Sequence, residues 1–303
     1  MLKRKEGWRL PRFFSLYVMS GICFIAIILF NYVPLAGWSI AFFRYRPGLS
    51  FAQMEFVGFF YFLQVFRLPT VWNALRNTLV MAGLGLATSW LPMVFAILLN
   101  EIRSTKYKRF IQTTTTLPNF ISWVLVYAIF FAMFASRDGM VNNVLRSLGL
   151  PIVNPLANRG PGQWVFQWFV GTWKGLGWSM IIYLASIAGI DQEQYEAASI
   201  DGAGRFAKMR YITLPNLAIT YFTLLIISIG WILASGFDQY FMFSNPMTRE
   251  RLMVLDLFIY EQGIVRHNFA FATAVGMIRT VIGLTLLTGA NLFSKKIRGT
   301  SIF

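Results

Sequence analysis

Six apolar runs, each long enough to cross a bilayer, constrain what this chain can fold into. They lie at about 14–35, 73–99, 111–135, 162–187, 216–236 and 271–293. A hydrocarbon core of about 30 Å takes about 20 helical residues at 1.5 Å each. In lipid, only a helix satisfies its own backbone within one segment. The expectation is an all-α, polytopic membrane protein with six transmembrane helices. Composition agrees: 13% of residues are charged and 56% hydrophobic, whereas a soluble domain carries about 25% charged residues.

The formal charge of +15 does not point to nucleic acid, because the basic residues sit between apolar runs, where lipid headgroups are the counterions. One cysteine, Cys23, excludes an internal disulfide, and one histidine, His267, excludes a His or Cys metal cluster. The basic start MLKRKEGWRLPR leads into the first run, which continues as NYVPLAGW without a small-residue cleavage site. That pattern predicts a retained signal-anchor helix.

Charge placement orients the spans. The segments 1–13, 100–110, 188–215 and 294–303 hold 15 Lys and Arg in 62 residues; 36–72, 136–161 and 237–270 hold 9 in 97. The positive-inside rule makes the first set cytoplasmic, with both termini inside. Among the outer segments, AFFRYRPGLSFAQMEFVGFFYFLQVF is aromatic and partly amphipathic, which suits short helices on the membrane or over the spans. The chain then divides into 1–72 (tail, first helix and outer amphipathic segment), a five-helix core at 73–293, and a C-terminal tail at 294–303.

One inner segment is unlike its surroundings. Between spans four and five runs EAASIDGAGRFAKMRYITLP, residues 196–215, polar and punctuated by Gly202, Gly204 and Pro215. Asp191 can cap a short helix, with Gln194 completing a capping box, and Glu193 and Glu196 lie near the positive end of its dipole. Gly202 is the natural stop. A second short helix is expected over 204–212 with Phe206, Met209 and Ile212 along one edge, and Pro215 is expected to open the next span. The product is a compact helix–turn–helix projecting from the membrane, readable as a docking element or as a charged loop without a partner.

Glu196, Ala197, Ala198, then Asp201, Gly202, Ala203, then Ile212, Leu214 and Pro215 resemble the EAA loop (here 191–215) of the permease subunits of binding-protein-dependent ABC importers. The pattern departs at Ile219, where many relatives carry a second proline. LPNFISWV at 117–124, DGMVNNVL at 138–145, GWILASGFDQYFMFSNP at 230–246 and the ending ANLFSKKIRGTSIF resemble the carbohydrate branch, within it the oligosaccharide and polysaccharide permeases. The resemblance implies a type I ABC importer permease fold and an EAA helix seated on a cytoplasmic ATPase. It further implies two ATPase subunits, a second, non-identical permease chain (with a homodimer as the alternative), and an outer solute-binding protein.

The chain itself has no G-x-x-x-x-G-K-[ST], and no lysine is followed by Ser or Thr. ATP and Mg therefore belong to a separate ATPase chain, and no cofactor, metal or catalytic residue is expected here. None of the 12 carboxylates lies in an apolar run, which disfavours an ion-coupled carrier. A membrane-embedded enzyme would need a polar cluster that His267 and scattered acids do not form. An ABC permease for a non-sugar solute remains the nearest alternative.

Candidate path residues lie in spans three and four. Lys174 sits mid-span, where a charge costs at least about 2.5 kcal/mol unless it faces protein or a wet cavity. It either meets saccharide hydroxyls or carboxylates, or holds a helix-end or loop carbonyl; Arg279 is assigned the structural role. Trp173, Trp178 and Tyr183 can stack on sugar faces, whereas Trp164 and Trp168 are assigned to the interfacial aromatic belt. Gly171 and Gly175 form a small-xxx-small pair for close helix approach, either by a second permease subunit or within this chain. In TTTTLPNFISWV, Pro118 frees a backbone acceptor and predicts a kinked, partly polar helix, making Asn119 a path candidate.

Overall fold

The computed structural model describes residues 14–234 and 236–298; the basic residues 1–13 and the last five, 299–303, used above for orientation, lie outside them. Among the described residues the structure is helical, apart from one isolated bridge between Phe43 and Phe56. The helices are α1 Phe14–Ile27, α2 Phe60–Arg67, α3 Pro69–Ala87, α4 Leu91–Asn100, α5 Thr105–Thr116, α6 Trp123–Phe134, α7 Met140–Ser147, α8 Gly162–Ala188, α9 Gln192–Ile200, α10 Arg205–Lys208, α11 Leu214–Gly230, α12 Phe237–Phe243, α13 Arg249–Leu252, α14 Leu255–Tyr260 and α15 Phe269–Arg298.

Four helical stretches are long and apolar enough to cross a membrane: Leu16–Phe42, Pro69–Asn100, Arg205–Gly230 and Phe269–Leu292. A fifth is formed if α5 and α6 count as one span, although they meet at 105°. The sixth expected run is α8, 27 residues long, which is not among them. Its inward face carries Gln163, Gln167 and Lys174, all buried. A helix enclosed by protein on that face need not be apolar there.

Three span boundaries differ from those expected. The second run breaks at Thr88–Trp90, just before Pro92 in the first turn of α4. Proline brings no N–H to the ladder, and the Thr88 carbonyl is taken by Leu91 N instead, at 3.0 Å. In the third run Leu117–Phe120 is 3₁₀ and Ser122 restarts the helix as the α6 N-cap; the expected kink is a full corner. The fifth run ends at Gly230, six residues early, and begins at Arg205 rather than at Pro215.

Within this chain, the crossing of α8 and α5 is set by Gly177, not by Gly171 and Gly175. A Cβ on Gly177 would lie 2.1 Å from the Thr115 carbonyl oxygen of α5, whereas one on Gly175 meets nothing within 4 Å and one on Gly171 would be 3.2 Å from Gln239 Oε1. α15 closes the other side, packing on α11 and on the 3₁₀ segment Val33–Phe42. The lower core gathers Met93, Ile97, Met180, Tyr183, Ile187 and Leu217; a larger cluster holds Val126, Phe130, Val170, Phe243 and the α13–α14 residues.

Candidate functional site: the projecting loop and the cleft behind it

The loop is built as a cap, a turn and a continuation. Asp191 accepts the Glu193 N–H at 3.0 Å, so the N-cap forms. Gln194 does not complete a capping box; its Oε1 lies 3.5 Å from Asn216 Nδ2 of α11. At the other end Gly202 has φ +77°. Ala203 N donates to Ala198 O at 2.8 Å and Gly202 N to Ser199 O at 3.1 Å, the paired bonds of a Schellman cap.

After the turn the chain does not make a separate short helix. It runs unbroken from Arg205 into α11 through a π-turn at Met209–Thr213. Pro215, two residues beyond, has no N–H for the Tyr211 carbonyl, and a wider turn absorbs that missing bond. The expected apolar edge is divided. Met209 packs into the lower core and Ile212 is half-buried, but Phe206 is 84% exposed.

Across the turn from Phe206, Ile200 is 87% exposed. Two large apolar side chains thus flank the tip. Glu196, Ala197, Asp201, Gly202, Leu214 and Pro215 are also exposed, and Ala198 and Ala203 half-exposed. The hairpin is tied internally: Tyr195 Oη and Thr213 Oγ1 are 2.9 Å apart, and Lys208 Nζ donates to Ser199 Oγ. It presents a fixed surface rather than a slack connection.

Behind the loop, α8, α11 and the α3–α4 break enclose a cleft of about 400 Å³. Small polar groups face it (Thr88, Ser89, Thr172, Ser179, Ser228), with Trp178, Tyr183 and Tyr221. Ser89 Oγ and Tyr221 Oη are 3.1 Å apart, and Trp168 Nε1 donates to Thr88 Oγ1 at 2.9 Å. A second cavity of about 320 Å³ shares Gly85, Ser89 and Ser228 and adds Trp231 and Tyr240. Hydroxyls interleaved with aromatic faces can hold a polyhydroxylated ligand.

Of the path candidates, Trp178 and Tyr183 line this cleft and three do not. Trp173 packs edge-on against Phe130 at 5.8 Å. Lys174 donates to the carbonyls of Pro118 and Asn119, at 3.1 and 2.8 Å, with Trp123 5.3 Å away. Asn119 therefore meets α8 through its carbonyl oxygen. Of the two alternatives for Lys174, the geometry realises the carbonyl partner: the ammonium adds a second donor to Pro118 O, which also accepts from Ile121 N at 3.2 Å, and serves Asn119 O at the α5–α6 corner. Arg279 pairs with Asp256.

Trp164 and Trp168, expected in the interfacial belt, have their indoles hydrogen-bonded within the protein. Both are half-buried against the core, with their indole N–H groups donated to Arg251 O and Thr88 Oγ1. Sequence reasoning missed Thr88, Ser89, Thr172, Ser179, Tyr221 and Ser228. Their one signal is a hydroxyl, small except in Tyr221, inside otherwise apolar runs.

The chain matches the family described as binding-protein-dependent transport system inner membrane component over residues 90–299. Protein LplB of Bacillus subtilis is 39% identical over 95% of this chain and 91% of its own. The polygalacturonan/rhamnogalacturonan transport system permease protein YteP, also of Bacillus subtilis, is 37% identical over 95% and 90%. Among solved structures, a chain of a bacterial alginate ABC transporter in complex with alginate pentasaccharide-bound periplasmic protein superposes with a TM-score of 0.85. It is 32% identical, covering 97% of this chain and 98% of that one. An all-helical chain with several membrane-length helices, carrying this loop and this cleft, belongs to the inner-membrane components of binding-protein-dependent transport systems, multi-pass transport subunits of ABC importers rather than enzymes.

Proposed function

We infer that this chain forms half of the translocation path of an ATP-driven importer of oligosaccharides or polysaccharides. Its partners are a second permease chain, two ATPase subunits that hold ATP and Mg, and an outer solute-binding protein. The chain crosses the membrane six times, with α8 and the α5–α6 corner as protein-enclosed crossings and both termini in the cytoplasm. The saccharide reading is supported by the names of the relatives and by the hydroxyl and aromatic lining of the cleft.

One observation carries the coupling mechanism: the loop is the tip of a hairpin whose two arms, α8 and α11, both line the cleft. Two residues beyond the Gly189 C-cap of α8 stands Asp191, the N-cap of α9, and Arg205 begins the helix that becomes α11. Ser186 Oγ and Thr220 Oγ1, 2.8 Å apart, bind the arms together. Displacing the tip therefore displaces cleft walls about 15 Å away along α8. ATP binding does mechanical work on the cleft only if the ATP-bound ATPase pair favours one permease state over another. The exposed Ile200 and Phe206 would carry that preference.

The test is affinity purification of the native complex in mild detergent, beside a Gly202→Pro loop variant that inserts normally. An ATPase chain with the native protein and none with the variant is the expected result. No ATPase with the native chain across several detergents would overturn the coupling assignment.

The cleft has its own test. Gly175 faces it with free space around its missing Cβ, so Gly175→Leu is expected to fold normally while saccharide uptake falls at least about tenfold. Uptake at the native rate, with the side chain accommodated, would remove this cleft from the path.

A further inference from the structure

The outer half of the molecule holds a cluster with no part in the account so far. Outside the spans, on the side read as external, the 9 basic residues are all arginine, Arg251 among them; Arg76 is a further arginine, at the outer end of the run 73–99. Lysine would serve equally for solubility; arginine differs in offering a planar fork of donors that matches a carboxylate.

Two arginines converge on one indole. The Arg251 guanidinium lies 4.8 Å from the Trp164 ring centroid, and that of Arg76 lies 5.7 Å from it. The arrangement is braced from behind. Trp164 Nε1 donates to Arg251 O at 3.0 Å, Arg76 donates to Asn73 Oδ1, and Asn73 Nδ2 donates to Glu250 O at 3.1 Å. Among the described residues the ion pairs are Arg44–Glu55, Arg249–Glu261 and Arg279–Asp256. Arg76 and Arg251 have no carboxylate partner in that set. Two cations gathered at one ring without a paired acid make that neighbourhood favourable for an anion. A guanidinium at an aromatic ring keeps N–H donors for such an anion.

Position relates the cluster to the cleft. Trp164, Gly171, Gly175 and Ile182 recur along α8 at spacings of seven, four and seven residues, which places them on one helix face. Gly171, Gly175 and Ile182 line the cleft, so Trp164 stands at the outer end of that stripe, about 16 Å above Gly175. Asn73, which holds Arg76, also borders a cavity of about 360 Å³ whose wall carries Arg249, paired with Glu261, together with Glu250 and Arg266. That cavity is balanced in charge, so the unpaired cations of this region are those at the ring.

We propose that Arg76, Arg251 and Trp164 form an outer-mouth site that binds the carboxylates of an acidic, uronate-bearing saccharide on its way into the cleft. This deepens the saccharide reading of the proposed function and rests on it, including its orientation. The site selects charge rather than ring stereochemistry, and it acts before the hydroxyl-lined cleft.

The probes are a short oligogalacturonide and its carboxyl-reduced, neutral counterpart, titrated calorimetrically into the purified whole complex. The wild-type complex is expected to bind the acidic chain at least about tenfold more tightly, with affinity falling as salt rises. In Arg76→Gln/Arg251→Gln the two probes are expected to bind alike, and Arg→Lys at both positions to recover part of the difference. Trp164→Phe, which keeps most of the packing, reports whether the indole orients the pair. Equal affinity of the wild type for both probes, or preference for the neutral one, overturns the proposal. So does a double variant that keeps the discrimination. A variant that loses only the stimulation of ATP hydrolysis by the loaded binding protein, equally for both probes, would make the arginines a docking contact for an acidic protein surface. Uptake into vesicles separates the two levels of argument. Carriage of the neutral chain alone defeats the acidic-saccharide site and leaves the saccharide permease standing; carriage of neither defeats both.

Discussion

Ile200→Asp and Phe206→Asp are each expected to cut retention of the ATPase by the purified permease at least about tenfold, and to uncouple ATP hydrolysis from uptake. At 87% and 84% exposed, neither side chain supports the fold, and surface substitutions of this kind change stability by about 0.5 kcal/mol or less. The variants should therefore insert, accumulate and melt like the parent. In a seated interface the same positions become apolar anchors, where truncation costs about 2 kcal/mol or more and an unpaired buried carboxylate costs further. Loss of the ATPase from a permease of unchanged stability is thus a signature of docking. Full retention of the ATPase by both variants would return the loop to a solvated connection.

Lys174→Met is the second large effect. Methionine keeps the length of the side chain and removes its donors. Of the two carbonyls that Lys174 serves, Pro118 O would keep the Ile121 N–H at 3.2 Å, and Asn119 O would lose the ammonium donor. An orphaned buried acceptor costs about 1–3 kcal/mol; relief from burying the charge offsets part of this, giving a net loss on the order of 1–2 kcal/mol. The solubilised protein should melt well below the parent, and Lys174→Arg should recover some of the loss. The decisive reading is the protein that remains folded. If Lys174 is structural, that fraction transports with nearly unchanged apparent affinity for sugar. An affinity loss of about tenfold with unchanged stability would place the ammonium on the ligand instead.

These two experiments bear on residues of very different legibility. In the loop, chemistry is local. Asp191 caps, Gly202 reverses the chain at φ +77°, and the spacing between them is a matter of one helix. Such features can be read because each depends on residues within a few positions. What local reasoning misjudged was continuity. Pro215 was expected to open a span, yet the helix reaches it from Arg205 through a π-turn. Propensity alone does not choose between starting a helix at a proline and widening the turn before it.

The path residues illustrate the opposite case. Lys174, Trp173, Trp178 and Tyr183 all lie on α8, and the sequence marks each as unusual for lipid. Helix rotation and neighbours separate them: Trp178 and Tyr183 line the cleft, while Trp173 meets Phe130 and Lys174 the broken end of another helix. Trp164 and Trp168 show the same limit. A tryptophan at the depth of an interface reads as belt, and only the position of Arg251 and Thr88 reveals that both indoles are spoken for within the protein.

The sequence by itself determined the helical class, the membrane setting and the place of the projecting loop. Those follow from the length of apolar runs and from caps, which are properties of contiguous residues. It took the packed helices to show that Gly177 rather than Gly175 is where α8 meets α5, that α8 tolerates polar residues, and that hydroxyls from the α3–α4 break, α8 and α11 share one cleft. Each of these depends on which faces of distant helices meet, and in a helix that assignment is fixed by packing against neighbours far away in the chain.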